Sequence, residues 1–428
     1  MSTPRAIRSL SPPRAVPRFR IGGLWWHRDF RLLWAGESVS LLGSQVTLLA
    51  LPLVAAVTLR VTATQMGLLR AAEYLPFLLV TPFAGVLVDR VRRRPLLLVT
   101  NLGRALVLGM VPLLVALGWL SVAALLAIVA VTGVFAVAVE LAYQSFMPSL
   151  VLPEDLTEGN SKLYASASVA EIGGPGFGGL LVQLVTAPFA ILVDAASFLL
   201  SALTLATIQV RETSAVRTHR NVWREMGEGF RALRDAPVLR AFMYEAVTYN
   251  FFWNGITGVF VLYAVRVLGF TPGILGAILA VGGLGGLIGA LLTPHAGRRW
   301  GVGHVVVIAA AIASVAMLAL PLAARPGPTA VGLLAAVFFV NGVGVAACNV
   351  YTFTWRQAAV PDHLRGRMNA AYRTITYGAI PPGAALSGLF AERNGLYPAL
   401  VAGAVGMSLA WVWVARPSIW RVRAITME

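Results

Sequence analysis

The chain has 428 residues, of which 58% are hydrophobic and 12% are charged, and its formal net charge is +16. Soluble domains carry roughly 25% charged residues, so this composition excludes a soluble protein and indicates a membrane protein. A spanning helix needs ~20 apolar residues and a connection, so the chain has room for about a dozen spans and for no separate soluble domain.

The positive charge is distributed unevenly along the chain. Arginines cluster in alternate connections between apolar runs, which is the pattern of cytoplasmic loops in membrane proteins. This distribution predicts anionic inner-leaflet lipids, rather than nucleic acid, as the partner of the basic residues. We therefore expect a multi-pass protein of the cell inner (plasma) membrane with both termini in the cytoplasm.

The apolar runs predict an all-α membrane protein with twelve transmembrane helices in two pseudo-symmetric six-helix bundles. The predicted spans are 33–58, 65–88, 95–118, 120–143, 162–185 and 187–209 in the first bundle, and 238–263, 272–294, 304–323, 329–354, 367–391 and 396–415 in the second. The predicted parts of the chain are an N-terminal tail with an interfacial anchor (1–32), the first bundle (33–209), a cytoplasmic linker (210–237), the second bundle (238–415) and a cytoplasmic tail (416–428).

The linker and the second bundle carry two further patterns. Apolar linker residues from Val222 to Leu233 fall at helical spacing, which predicts an amphipathic helix. Tyr143 and Pro153 of the first bundle recur at the same spacing as Tyr351 and Pro361 of the second. This repetition indicates an internal duplication.

A dense charge cluster separates the second and third spans. Arginine costs about 2.5–3.5 kcal/mol at the centre of an inserted helix, so the cluster must lie in water or headgroups. The pattern resembles the signature of the major facilitator superfamily, although Arg92 stands where many members have glycine. The matching positions are Gly85, Leu87, Asp89, Arg90, Arg93 and Arg94.

The resemblance implies the facilitator fold and a conformational switch at this hairpin. In the family the matching aspartate helps to lock the cytoplasmic ends of the two bundles, close to the start of span eleven. Arg365 and Arg367 would be its cationic partners here, beside a helix N-terminus. The residues alone also allow a simpler role, in which Asp89 neutralises Arg90.

A glycine-rich stretch in span five is the second motif. Proline removes a backbone donor and glycine permits close helix contact, so the stretch predicts a bend packed against the other bundle. It resembles the signature of facilitator antiporters, with Ala170 and Ser161 in place of glycines, although tight packing alone also favours glycine. The motif residues are Gly174, Pro175, Gly178 and Gly179.

Acidic residues inside predicted spans are candidate proton carriers, because a carboxyl group in a dry bundle must be paired, hydrated or titrating. Arg70 and Glu73 lie three residues apart and can form a structural pair. Arg104 and Arg373 are possible partners for the unpaired acids of other helices. In order of preference the candidates are Glu171, Glu245, Asp194 and Glu73.

The resemblance places spans one, four, seven and ten around a central cavity. Amide and aromatic side chains of these spans suit an amphiphilic organic substrate better than a small ion. Interfacial packing would also account for some of the aromatic residues. The candidate substrate-binding residues are Gln45, Tyr143, Gln144, Tyr249, Asn250, Trp253, Asn254, Asn341 and Asn349.

These features are similar to those of bacterial drug and siderophore exporters, and they predict a monomeric, proton-driven antiporter that works by rocker-switch alternating access. A facilitator-type nutrient importer remains the first alternative, and a polytopic membrane enzyme or receptor the second. The sequence offers no metal-ligand cluster, nucleotide loop or nucleophile with its base, so we expect no enzyme activity, cofactor or metal. Cys348 is the only cysteine, which excludes an internal disulfide.

Overall fold

A computed structural model of the chain describes residues 23–81, 91–209 and 222–423. Within these ranges the chain forms helices and no β-strand, which confirms the predicted all-α fold. The first half contains α1 (Arg28–Leu53), α2 (Ala63–Leu79), α3 (Arg93–Ala116), α4 (Val122–Leu150), α5 (Leu156–Val185) and α6 (Ala187–Thr207). The second half follows α7 (Val222–Asp235) and contains α8 (Pro237–Arg266), α9 (Pro272–Trp300), α10 (Val302–Val315), α11 (Pro328–Ala358), α12 (Asp362–Gly378), α13 (Ile380–Asn394), α14 (Leu396–Ser408) and α15 (Pro417–Trp420).

Several helices begin at residues that cap their free backbone N–H groups, since the first turn of a helix has no internal acceptors. At the start of α2 the Thr62 hydroxyl accepts from the Gln65 N–H at 3.3 Å, and the Gln65 side chain accepts from the Thr62 N–H at 2.9 Å. Ser121 and Thr271 cap α4 and α9 in the same manner. These caps allow short turns between long apolar helices.

Nine helical stretches of the described residues are long and apolar enough to cross a membrane. The other three predicted spans correspond to α2, to α8 and to the pair α12 and α13. The description of the second span stops at residue 81, and α8 carries polar residues such as Arg240 and Glu245 in its apolar sequence. The twelve-helix architecture is consistent with this count.

One local prediction needs correction. The predicted span 367–391 is two helices, which meet at Ala379, because Pro381 and Pro382 lack the N–H groups that would continue α12. At the span-five motif, α5 continues as a helix from Leu156 to Val185 with Pro175 inside it. Span five therefore stays one element.

The two halves meet along two pairs of helices. In the first half, α6 packs on α1 and α3, and in the second half α11 packs on α9 and α10. Between the halves, α2 packs along α13 and α5 packs along α9. The linker helix α7 packs on α12. These two helix pairs form the two edges of the interface between the halves. The helices that could line a cavity lie between these edges.

The ends of the bundle differ in charge, and we name them accordingly. The basic end carries Arg93, Arg94, α7, Arg298 and Arg299. The opposite end carries the turns at Arg60, Gly118, Thr186 and Gly269.

The buried apolar side chains form one core at the opposite end and two at the basic end. The opposite-end core is shared, because it joins Val46 and Met66 of the first half to Ile256 and Phe338 of the second. At the basic end, the cluster around Phe146 belongs to the first half alone, and a separate cluster belongs to α7 and the second half. Among the described residues, the halves therefore share one apolar core at the opposite end and have separate apolar cores at the basic end.

Candidate functional site

Two cavities lie between the halves. The closed-end cavity has a volume of about 460 Å³ and lies towards the opposite end. It is lined by α1, α2, α3, α4, α6, α8, α9 and α11. The basic-end cavity has a volume of about 940 Å³ and is lined by α1, α4, α5, α8, α11 and α12. Cavities of this size fit a small organic molecule.

Glycine contacts close the molecule at the opposite end. A Cβ atom on Gly179 of α5 would lie 2.6 Å from the Pro272 carbonyl oxygen and 2.9 Å from the Gly276 Cα of α9. A Cβ on Gly388 of α13 would lie 3.0 Å from the Gly67 Cα of α2. Both helix pairs approach so closely only because no side chain separates them.

The other residues of the glycine motif face two different helices. Gly174 lies against the Gln45 side chain of α1, and a Cβ on Gly178 would lie 3.1 Å from the Val46 Cα. Pro175 directs its carbonyl towards Gly276 of α9. The motif therefore packs α5 against its own half and against the other half.

Three sets of hydrogen bonds join the halves around this closure. Arg266 donates to the carbonyl oxygens of Val61 at 2.8 Å and Ala56 at 3.4 Å. The Gln183 side chain accepts from the Gly273 N–H at 3.1 Å. Each set pairs a residue of one half with a backbone group of the other, so each exists only while the opposite end is closed.

Glu392 provides the third set, just beyond the predicted span 367–391. Its carboxylate accepts a hydrogen bond from the Thr64 N–H at 2.8 Å, at the N-terminus of α2. Hydrogen bonds from Thr62 and Thr64 hold the pKa of the exposed Glu392 carboxyl below its usual range. The carboxylate form therefore supports the closure.

An aromatic group lies between the two cavities. Tyr74 and Phe77 of α2 line the closed-end cavity, and both rings meet Tyr377 of α12, with centroids 6.5 and 5.8 Å apart. Arg373 lies over the Tyr377 ring at 5.3 Å and forms an ion pair with Glu140 of α4. This group connects the two halves at the boundary between the two cavities.

The candidate proton carriers lie in different environments. Arg70 and Glu73 form the predicted pair, with nitrogen and oxygen 2.6 Å apart, on the wall of the closed-end cavity. Glu245 is 8% exposed, lines the basic-end cavity and has no hydrogen bond or ion pair within the described residues. Asp194 is 1% exposed and lines the closed-end cavity. Glu171, the first candidate, is exposed and lines neither cavity.

Most of the candidate substrate-binding residues line the two cavities. Gln45 and Trp253 line the closed-end cavity. Tyr249 stacks on Trp253 with centroids 5.9 Å apart, which places an aromatic pair across the boundary between the cavities. The side chain of Gln144 lies outside the described residues. The residues on the wall of the basic-end cavity are Tyr143, Tyr249, Asn250 and Asn349.

Asn254 and Asn341 line neither cavity and form internal hydrogen bonds. Asn254 donates to the carbonyl oxygen of Asn250 at 3.0 Å, within the same helix. Asn341 donates to the Ala313 carbonyl at 2.6 Å and to the Tyr249 hydroxyl at 3.0 Å. Both amides are 4% exposed and line neither cavity, so they satisfy buried backbone and hydroxyl groups.

Comparison with known proteins identifies the family. The model of the Major Facilitator Superfamily matches residues 33–384. The chain belongs to this superfamily. As a facilitator it is a multi-pass membrane transporter of small molecules and not an enzyme.

Relatives and solved structures cover most of the facilitator's length. It is 28% identical to the multidrug efflux pump Tap of Mycolicibacterium fortuitum over 374 residues. The aligned region covers 82% of this chain and 86% of Tap. It is 25% identical over 383 residues to macrolide efflux protein A of Streptococcus pyogenes, with 87% and 91% covered. The crystal structure of the nucleoside transporter NupG matches with a TM-score of 0.72 at 14% identity, over 90% of this chain and 98% of NupG.

The facilitator's hairpin residues are only partly described. Gly85, Asp89 and Arg90 lie outside the described residues, so the expected lock between the hairpin and span eleven is not visible. Arg94 donates to the carbonyl oxygens of Leu205 and Ala206 at the end of α6. This contact holds the start of α3 against its own half.

The cationic partners expected for the hairpin have contacts of their own. The Arg365 Nε donates to the Val360 carbonyl oxygen at 3.1 Å. Arg367 forms an ion pair with Glu228 of the linker helix α7. Arg93, at the start of α3, also has an interaction partner. The start of span eleven is therefore tied to the linker helix.

Sequence reasoning missed three aromatic cavity residues of this facilitator: Tyr74, Phe77 and Tyr377. Arg70, Tyr74 and Phe77 recur at spacings of three and four, so one face of α2 carries all three. That spacing is a signal that could have identified this face of span two. Tyr377 lies four residues after Arg373 and follows the same rule.

Proposed function

We propose that this facilitator exports an amphiphilic small organic molecule of the drug class and takes up protons in exchange. The observation that carries the proposal is the pair of cavities between the halves, with aromatic and amide side chains on their walls. Such walls suit a molecule with an apolar body and a few polar groups. The names of two relatives, a multidrug efflux pump and a macrolide efflux protein, favour export over uptake.

The orientation in the membrane follows from charge. The positive-inside rule places the basic end in the cytoplasm, together with both chain termini. The described state is then closed towards the outside, where the shared core and the Arg266, Gln183 and Glu392 contacts lie. Its larger cavity lies at the cytoplasmic end, where a substrate for export would enter.

Transport requires the closure to move from one end to the other. In the proposed cycle the halves pivot around the aromatic group at Tyr74, Phe77 and Tyr377, the opposite-end contacts separate, and the basic end closes. Asp89 of the hairpin, with Arg365 and Arg367, is the proposed lock of that second state. At the end of the cycle the opposite end closes again, and the glycine motif of α5 permits the close approach of α5 to α9 in that state.

Proton coupling is supported by acids on the cavity walls. Glu245 has no cation beside it among the described residues, and a buried carboxyl group in such a place is a candidate to bind and release a proton. Asp194 and Glu73 also face the closed-end cavity. Glu171 is the weaker candidate because it lies away from both cavities.

Transport into membrane vesicles tests the proposal. Inverted vesicles that contain the protein would be given a labelled macrolide or ethidium, with the vesicle interior acidified. Export by antiport predicts accumulation that depends on the pH gradient and stops when the gradient is dissipated. Gradient-driven accumulation only in right-side-out vesicles would indicate the importer alternative, and no accumulation of either probe in either orientation would contradict the proposal.

A further inference from the structure

We infer that Glu37, Arg104 and Asp194 form the proton-exchange site of this transporter, with the arginine alternating between the two carboxylates. The inference rests on the proposed proton antiport and names the residues that perform it. All three residues of the site belong to the first half. It therefore assigns proton exchange to α1, α3 and α6.

The three side chains connect the two cavities through the interior of the first half. Glu37 of α1 lines the basic-end cavity. Asp194 of α6 and Arg104 of α3 line the closed-end cavity. Arg104 is close enough to interact electrostatically with both carboxylates, of which Glu37 lines one cavity and Asp194 the other. A proton bound at one acid can thus influence the other through a single cation.

The charges of this site do not balance. Two carboxylates and one guanidinium leave one negative charge in excess when all three are ionised. An uncompensated charge in a dry bundle is strongly unfavourable, because the cost of removing it from water is not recovered. One bound proton makes the site neutral. The site therefore has two neutral states, which differ in the carboxyl group that holds the proton and in the carboxylate that faces Arg104.

Arg104 forms an ion pair with neither acid in this conformation. Its guanidinium makes no salt bridge within 4 Å to Glu37 or Asp194, all three being described residues. It lies instead over the Phe198 ring, 3.8 Å from the centroid. Its Nε is buried and has no hydrogen-bond acceptor. A buried donor without an acceptor is unfavourable, so a small rotation towards either carboxylate is favoured once that carboxylate is ionised.

Hydroxyl groups take the place of the arginine at Asp194. Its Oδ1 accepts from Ser197 at 3.2 Å and from Ser44 at 3.5 Å. These donors can rotate, so they can serve a carboxylate or a protonated carboxyl group equally well. Gly43 of α1 permits this arrangement, because a Cβ there would lie 2.8 Å from Asp194 Oδ1.

The charged groups facing the site come from three neighbouring helices. Helix α6 packs on α1, α3 and α5. Helix α1 contributes Glu37 and α3 contributes Arg104, and no titratable side chain of α5 interacts with Asp194 among the described residues. Tyr143 of α4 faces Glu37, and its buried hydroxyl has no hydrogen-bond partner. That hydroxyl is available to donate to Glu37 in the ionised state.

The proton path follows from this arrangement. When the opposite end opens, water reaches the closed-end cavity and a proton binds an oxygen of Asp194, which frees Arg104 to pair with Glu37. In the described state, with the basic end open, Asp194 transfers its proton to Glu37, and Arg104 then turns to the ionised Asp194. The proton leaves through Glu37 and the water of the basic-end cavity. No bond other than O–H forms or breaks, and the net change is one proton moved between the two sides.

The test uses the full-length protein in proteoliposomes and two transport modes. The first mode is accumulation of the labelled macrolide or ethidium driven by a pH gradient, and the second is exchange of the same probe at equal pH. We expect Asp194→Asn and Glu37→Gln to lose accumulation and to retain exchange, because exchange needs no net proton movement. Glu154→Gln is the matched control, since Glu154 is exposed in the turn before α5.

The outcomes separate this inference from the proposed function. If the unmodified protein accumulates a probe and both variants accumulate it equally well, the proton site is wrong and the antiport proposal stands. If the unmodified protein accumulates neither probe, the antiport proposal fails, and the proton site fails with it.

A variant that lost both modes would be examined with the single native cysteine. Cys348 lines the basic-end cavity, so its rate of alkylation by N-ethylmaleimide reports how open that cavity is. The proton site predicts that the ratio of this rate between unmodified and Asp194→Asn protein changes with pH, since only the former can bind a proton at position 194. A ratio that stays constant with pH would overturn the inference.

Discussion

Arg373 of α12 and Glu140 of α4 form an ion pair that joins the two halves on the wall of the basic-end cavity. Their side chains are 31% and 36% exposed, so cavity water screens the interaction. Pairs of this kind contribute about 0–1 kcal/mol to stability, which is too little to hold the fold together. The pair acts instead on the balance between open and closed states, because it connects helices that must separate.

Glu140→Gln should therefore widen the basic-end cavity without unfolding the protein. We expect faster alkylation of Cys348 by N-ethylmaleimide than in the unmodified protein, and the exchanged pair Glu140→Arg with Arg373→Glu should restore the original rate. Glu154→Gln serves as the control for loss of one carboxylate. Identical alkylation rates in all four proteins would show that the ion pair has no influence on the cavity.

Glycine packing at the opposite end gives a second prediction. Gly179→Ala places a methyl group 2.6 Å from the Pro272 carbonyl oxygen, so the closed opposite end should be destabilised by about 1–3 kcal/mol. Gly173→Ala is the control in the same helix, because a Cβ there meets nothing within 4 Å. The measurement is labelling of Thr257→Cys, in a Cys348→Ala background, by an impermeant maleimide added at the opposite end. Equal labelling in both alanine variants would contradict the packing argument.

The pH dependence of the Glu392 contact can also be predicted. The pKa of Glu392 is lowered in this conformation, so its contribution is complete above about pH 5 and is lost as the pH falls through the lowered pKa. Glu392→Gln should increase labelling of Thr257→Cys at neutral pH, and the difference from the unmodified glutamate should vanish in strong acid. Arg393→Gln, an exposed neighbour, is the control. A difference that grew as the pH fell would refute this assignment.

Asn341 and Trp253 should respond differently to mutation. Asn341→Ala leaves the Ala313 carbonyl and the Tyr249 hydroxyl without their partner, and each unsatisfied buried group costs about 1–3 kcal/mol. We expect a lower melting temperature from this variant. Trp253→Ala removes cavity wall instead, so it should raise the KM for the transported probe with a smaller loss of stability. The opposite pattern would mean that Asn341 binds substrate.

Much of the fold could be predicted, because placing arginine in hydrocarbon is unfavourable and placing a long apolar run there is favourable. The same physics hides which face of a helix turns inward, since lipid and protein interior are equally apolar. Glu171 is the first candidate from the sequence because it precedes the glycine stretch and has no basic neighbour within four residues, yet it is exposed and lines neither cavity. The pairing of Glu140 with Arg373 joins residues 233 positions apart, and no local pattern reveals such a contact. The break at Ala379 was within reach, because two prolines follow it closely.

The shared core at the opposite end has a consequence for the resting carrier. Val46, Met66, Ile256 and Phe338 keep water away from one another only while that end is shut, so opening it exposes oily surface to the aqueous phase. An idle molecule should accordingly rest with its outer side sealed. Hydrophobic association weakens on cooling, so chilled membranes should hold a larger share of molecules with that seal broken.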